Sequence, residues 1–260
     1  YRVTNLNPPV GSDKWSAMRG RIELNEFTHG EHSALFHHDD SGRIQARSNI
    51  RYRGGKHGFG ITVIDDIDED LQYAIAKSLM QYAAENEGVF DMKGLDCDIE
   101  KTPQRVSYHS VIVTGRAPKR IKEHVYNDVT YKSHTKVRDD FNHKINTDPQ
   151  FRDEQLKWEI AKGISRQVQQ LVRSGKLSLT KGYFLGRVEG DLLLRASAQD
   201  FMDNIELKKV EPLAPAKKYL PRFFIEFDMP VNLNGDWAAG KMNHKGYGHL
   251  IKTSKNEDKR

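Results

Sequence analysis

Four histidines fall close together near the start of the chain, at His29, His32, His37 and His38. An unperturbed imidazole titrates at about 6.5, so a histidine can give or take a proton near neutrality and serve as a general acid or base. His37 and His38 follow the apolar pair Leu35 and Phe36. On an extended segment neighbours point to opposite faces, so only one of the two would meet a substrate. Plain polar surface is the other reading. The same cluster invites a metal, but the spacing is loose and no cysteine partners it, while Asp39 and Asp40 read as turn residues. No metal and no cofactor is expected.

A second group lies near the other end, where residues 235–251 read GDWAAGKMNHKGYGHLI. Glycines spaced in this way let a backbone approach a phosphate closely. Lys241, His244, Lys245 and Tyr247, with His249 beyond them, add charge and a ring for stacking. The pattern points to a polyanion and above all to RNA, held by a loop that feeds into a short apolar strand at a sheet edge; an ordinary turn is the bland alternative. Arg43, Arg47 and Arg51 precede, and Arg53 opens, the turn RGGKHG (residues 53–58), a basic hairpin tip that reads either as a backbone-binding loop or as surface.

These groups need elements to hold them, and composition limits which. A chain of 260 residues can form one large or two small domains, and its short strand runs favour two. The formal net charge is +5 and the sequence pI about 9.1, yet an apolar fraction of 37% still permits a core. Charge is uneven: residues 65–100 hold eleven acidic side chains against Lys77 and Lys93, a local net of −9, so the remainder carries +14. An acidic face and a separate basic one would steer RNA to one side. Cys97 is the single cysteine and reads as a small buried filler. With no long apolar run and no leader-like start, the expected location is the cytoplasm, away from membranes.

Residues 19–27, 43–52 and 58–64 read as strands. Asp68 can cap a helix whose Leu71, Ile75, Leu79, Tyr82 and Ala83 form an apolar stripe, with Gly88 suited to ending it. Residues 106–114 then read as a strand closing a first domain near Gly115. In the middle, Ile121, Val125 and Val129, then Val137, Phe141 and Ile145, recur at a spacing of four among Lys119, Arg120, Lys122, Lys132, Lys136, Arg138 and Lys144. That spacing predicts basic helices. Asp148 and Pro149 start another helix, with Leu156, Ile160, Ile164, Val168 and Leu171 facing inwards and Lys157, Lys162, Arg166 and Arg173 outwards. Residues 182–188, 192–194, 205–210 and 223–229 are strand-like.

Four segments in order carry a resemblance: SALFHHDDSGR (residues 33–43), EIAKGISRQVQQL (159–171), FIEFDMPVNLNGDWAAGK (224–241) and HKGYG (244–248). Together they resemble the CRISPR repeat-processing endoribonucleases of the RAMP (repeat-associated mysterious protein) superfamily, over residues 19–253. The resemblance implies an α+β fold of tandem ferredoxin-like (RRM-like) domains, an N-terminal one over 1–115 and a C-terminal one over 116–260. The second would carry a basic helical insertion at about 119–175, similar to that of the type IV branch, and a glycine-rich loop at 235–248.

The activity so implied is metal-independent cleavage of precursor CRISPR RNA at a repeat stem–loop, by attack of a ribose 2′-hydroxyl, with the mature guide RNA retained. Its partners would be that repeat hairpin and other subunits of a type IV or related effector complex. His37 and His38 stand where the family often places its catalytic histidine, and Tyr52 could orient the reacting groups. Arginines in place of histidine would give slow cutting. Arg43, Arg47, Arg51, Arg53, Lys132, Lys136, Arg138, Lys162, Arg166, Arg173, Lys241, His244, Lys245 and Tyr247 are the expected RNA contacts. A non-catalytic RNA-binding subunit of a guide-RNA complex is the alternative, and a general RNA chaperone the third reading.

Overall fold

The computed structural model describes residues 1–4, 50–55, 58–63, 69–92, 97–116, 119–125, 128–173, 191–217, 220–242 and 247–253. They belong to two units, Tyr1–Asp96 with Met242–Gly246, and Cys97–Lys241 with Tyr247–Arg260. The strands expected at 19–27 and 182–188, and the cap expected at Asp68, lie outside the described residues.

The first unit contains β1 (Arg2–Thr4), β2 (Ile50–Gly55), β3 (Gly58–Val63), α1 (Glu69–Glu85) and β4 (Val89–Asp91). Its sheet runs β2-β3-β1-β4, with every neighbouring pair antiparallel. The apolar stripe read from the sequence is the buried face of α1: Leu71, Ile75, Leu79, Tyr82 and Ala83 are all sealed. Gly88 closes the helix differently from the expectation. Its N–H reaches Ala83 O at 2.8 Å, but the left-handed turn residue is Glu87, at φ 54°. Glutamate thus holds a position that favours glycine.

The second unit contains β5 (Asp98–Val113), β6 (Lys119–Val125), β7 (Asp128–His134), α2 (Lys136–Thr147), α3 (Pro149–Arg173), α4 (Asp191–Asn204), β8 (Glu206–Lys217), β9 (Leu220–Asn234) and β10 (Ile251–Lys252). Its main sheet runs β10-β5-β9-β8, all antiparallel, and among the described residues β6 pairs only with β7. With that hairpin set aside, the second unit repeats the strand order of the first: its opening strand lies between the third and the fourth, and the second is at an edge.

Strand β9 alternates half-buried and buried residues along its length. Phe223, Ile225, Phe227, Met229 and Val231 turn to one face and share a core with Leu156, Ile160, Ile164, Val168 and Leu171 of α3. Each such side chain contributes about 1.5–3 kcal/mol by leaving water. Within the sheet Tyr108 of β5 is fastened to β9: its hydroxyl donates to Val231 O (2.9 Å) and accepts from Leu233 N (2.8 Å). Asp148 caps α3 as the sequence suggests, its Oδ1 accepting from Phe151 N at 3.0 Å, with Pro149 first in the helix.

Several expectations are corrected by the fold. Lys119–Val125 and Asp128–His134 pair as antiparallel strands and are not helical. Spacing four is also an even number, so Ile121 and Val125 satisfy the alternation of one strand equally well, while Val129 lies on the next strand opposite His124, and β-branched residues favour the strand. Residues 192–194 belong to α4, whose Ala198 and Phe201 are buried with Ile205 just beyond; three residues are too few to show a period. The first unit ends at Asp96 rather than near Gly115, because residues 106–113 pair with β9. Helix α3 is core and not insertion. Cys97 is half-buried, its thiol 3.7 Å from Asp236 O. Among the described residues, no helix is long and apolar enough to cross a membrane.

Candidate nucleic-acid interface

The glycine-rich segment leaves β9 at Asn234 and returns to the sheet at β10, where Ile251 pairs with His109. Its described parts, 235–242 and 247–250, are fastened to the end of β5. Lys241 N donates to Val113 O (2.8 Å) and Gly248 N to Val111 O (2.9 Å). The two arms also bind each other, Ala239 N to Gly248 O and Leu250 N to Trp237 O, both at 2.8 Å. Gly240 sits at φ 74°, and a Cβ there would meet Val113 O at 2.9 Å. Only glycine suits that conformation at that distance.

Helix α3 supplies the second wall. A Cβ on Gly163 would lie 2.6 Å from Ala239 Cα and 2.8 Å from Ala238 O, so the missing side chain is what lets helix and loop touch. One turn on, Gln167 Nε2 donates to Asp236 O at 2.5 Å. Asp236 is itself buried and pairs with His249, Nδ1 to Oδ1, at 2.9 Å. His249 therefore faces the interior and is a fastening of the loop rather than one of its exposed cations.

Lys162 projects beside this contact. Burial holds its ammonium below the usual lysine range; Glu159, 3.9 Å away, opposes that shift, while the charges of Arg166, Lys241 and Arg116 push the same way as burial. The charges of three further cations thus bear on the partly buried Lys162, on the helix that packs against a loop whose backbone is already fixed. A phosphate there would relieve their repulsion without reorganising the chain. Nothing in the sequence pattern singles out Arg116. It stands just after β5 and also lies over the Phe141 ring, 5.5 Å from its centroid. At the other arm, Arg222 Nη1 is 3.4 Å from the Tyr247 hydroxyl and its guanidinium is 5.7 Å from that ring.

The structure brings together Lys162, Arg166 and Lys241 of the expected contacts, and places Tyr247 on the loop's returning arm. Arg138 is on the first turn of α2, bonded to Asp139 at 2.9 Å, which holds that carboxyl below its ordinary range, and Lys136 is exposed at the start of the same helix. Arg173 ends α3. Lys132 pairs with Ile121 in the hairpin. In the first unit, Arg51, Tyr52 and Arg53 lie on β2 opposite Thr62, Ile61 and Gly60. His29, His32, His37, His38, Arg43, Arg47, His244 and Lys245 lie outside the described residues.

No protein-family model matches the chain. No curated protein matches it either. Among solved structures it is similar to Csf5, a CRISPR-Cas type IV Cas6 crRNA endonuclease, with 13% sequence identity and a TM-score of 0.48, over 97% of this chain and 98% of that one. A likeness of that size assigns neither substrate nor residue roles.

Proposed function

We propose that this chain is a metal-independent endoribonuclease that binds a CRISPR repeat stem–loop, cleaves precursor CRISPR RNA and keeps the mature guide RNA. The observation that carries the RNA part is the grouping of Arg116, Lys162, Arg166 and Lys241 around a loop fixed to a sheet edge. Duplex RNA is recognised mainly through its phosphates and 2′-hydroxyls, which such a surface suits. The shared strand order of the two units supports a tandem ferredoxin-like arrangement.

In this reading the loop grips and the histidines cut. His37 or His38 removes the proton of the 2′-hydroxyl, the oxygen attacks the adjacent phosphorus, and the 5′-oxygen leaves with a proton. The products are a 2′,3′-cyclic phosphate and a 5′-hydroxyl. Replacing both histidines with alanine should abolish cleavage of a repeat RNA in EDTA while binding persists. Cleavage at an undiminished rate would reject the assignment.

The alternative is a non-catalytic binding subunit, in which the loop grips RNA and no residue cuts it. His249, the histidine of the loop among the described residues, is buried against Asp236 and so is no base for the cation group. A repeat RNA that is shifted on a gel in EDTA but stays intact with the unaltered protein would decide for that reading.

A further inference from the structure

Between α2 and the adjoining ends of β8 and β9 lies a groove of about 120 Å³, walled by Pro212, Leu213 and Pro221 and edged by Asn142, Asn146 and Arg222. Binding sites for larger small molecules run to about 300–1,000 Å³, so this one has room for a single flat ring system. Two prolines and a leucine give it apolar wall, and its rim carries two carboxamides one helical turn apart, groups of the kind that hydrogen-bond base edges; Asn146 Nδ2 also donates to Asn142 O at 2.7 Å, which leaves its second N–H and its oxygen for a ligand. Arg222 adds an unsatisfied donor. Its Nε is buried without a hydrogen-bond partner among the described residues. A buried N–H of this kind is costly until an acceptor arrives, and a base carbonyl or ring nitrogen is one.

The groove adjoins the cation group through the end of β5. Val113 O accepts from Lys241 N (2.8 Å), and the next residue, Thr114, donates its N–H to Pro221 O (3.0 Å). Two residues further, Arg116 lies over Phe141, the neighbour of Asn142. Phosphate-binding charge and an apolar slot with hydrogen-bonding edges therefore sit on either side of one short stretch of backbone, a nucleotide's own arrangement of parts.

We propose that this groove takes one unstacked nucleobase of the RNA whose phosphates lie on Arg116, Lys162 and Lys241. The proposal rests on the RNA reading above and adds to it a place where base identity is sensed. Free nucleotides separate the two ideas. The full chain is titrated with AMP, GMP, CMP, UMP and ribose 5-phosphate, followed by ligand-observed magnetic resonance. At least one nucleotide should bind about tenfold more tightly than ribose 5-phosphate, in keeping with a stacked base. Leu213→Trp, at a partly exposed wall position, should fill the groove and remove that difference while leaving the ribose 5-phosphate affinity unchanged. Lys162→Gln should weaken all five alike. Equal affinities for the five ligands, or saturable binding by none, would overturn the groove assignment. Failure of the unaltered chain to bind repeat RNA would overturn the RNA reading instead.

Discussion

Gly163→Ala would test whether α3 and the glycine-rich loop meet with no room between them. The added methyl would stand 2.6 Å from Ala239 Cα, 2.8 Å from Ala238 O and 2.8 Å from Ala239 Cβ. Carbon atoms pack comfortably from about 3.5 Å, so helix and loop would have to part by roughly 1 Å. The groups in the way are mostly backbone, and that backbone is held by Lys241 N to Val113 O and Ala239 N to Gly248 O. Overpacking of this kind costs about 1–3 kcal/mol, and these fixed partners place it in the upper half. Alanine gains about 1 kcal/mol over glycine in a helix interior. The expected net is a loss of about 1–2 kcal/mol, read as a lower urea midpoint, together with weaker RNA binding as Lys241 is displaced. A gain of about 1 kcal/mol with RNA affinity unchanged would show that nothing crowds Gly163, and the reasoning would fail.

Other parts of the structure set further expectations. Lys162→Met should leave the fold as stable or more so, because the lowered lysine pKa means that the charge opposes folding at neutral pH; this opposition fades as pH rises through the folded value towards 10.5. The same variant should reduce the salt dependence of RNA binding by a slope of about 0.7–0.9, measured by titration at several salt concentrations. Glu87→Gly, at φ 54°, should stabilise the first unit by about 1 kcal/mol in thermal unfolding, since a side chain in the left-handed region is strained. Burial pushes the Tyr108 hydroxyl up to about 12, against a weaker opposing effect of its bond from Leu233 N. Its contribution to stability is therefore complete below pH 10 and lost as pH rises through about 12. An ultraviolet titration should find that Tyr108→Phe removes a tyrosine ionising near 12.

Part of the site is legible in the residues alone. The loop shows itself through its glycines, and the inward stripe of α3 through strict three- and four-residue spacing with Asp148 and Pro149 at its start. Lys162, Arg166 and Lys241 stand out as well, but as separate contacts. Their union with Arg116 depends on Gly163 and on the bonds from the loop to Val111 and Val113, contacts between segments many residues apart. The basic hairpin escapes a reading by period, because a spacing of four fits both a helix and a strand when polar residues fill the gaps. The role of His249 is hidden for a related reason: in sequence it is one more loop cation, and only burial beside Asp236 changes what it does.

By itself the sequence determined local matters: where α3 begins, which faces of α1 and α3 are apolar, where glycine permits a turn, and that charge is separated along the chain. These depend on residues within a turn or two of each other. Tertiary structure decided which strand pairs with which, that residues 106–113 belong to the second sheet, and that Arg116, Arg166 and Lys241 bear on Lys162. Such outcomes are set by competition among long-range pairings and by shared burial. Their energies belong to pairs of segments, and no single segment contains them.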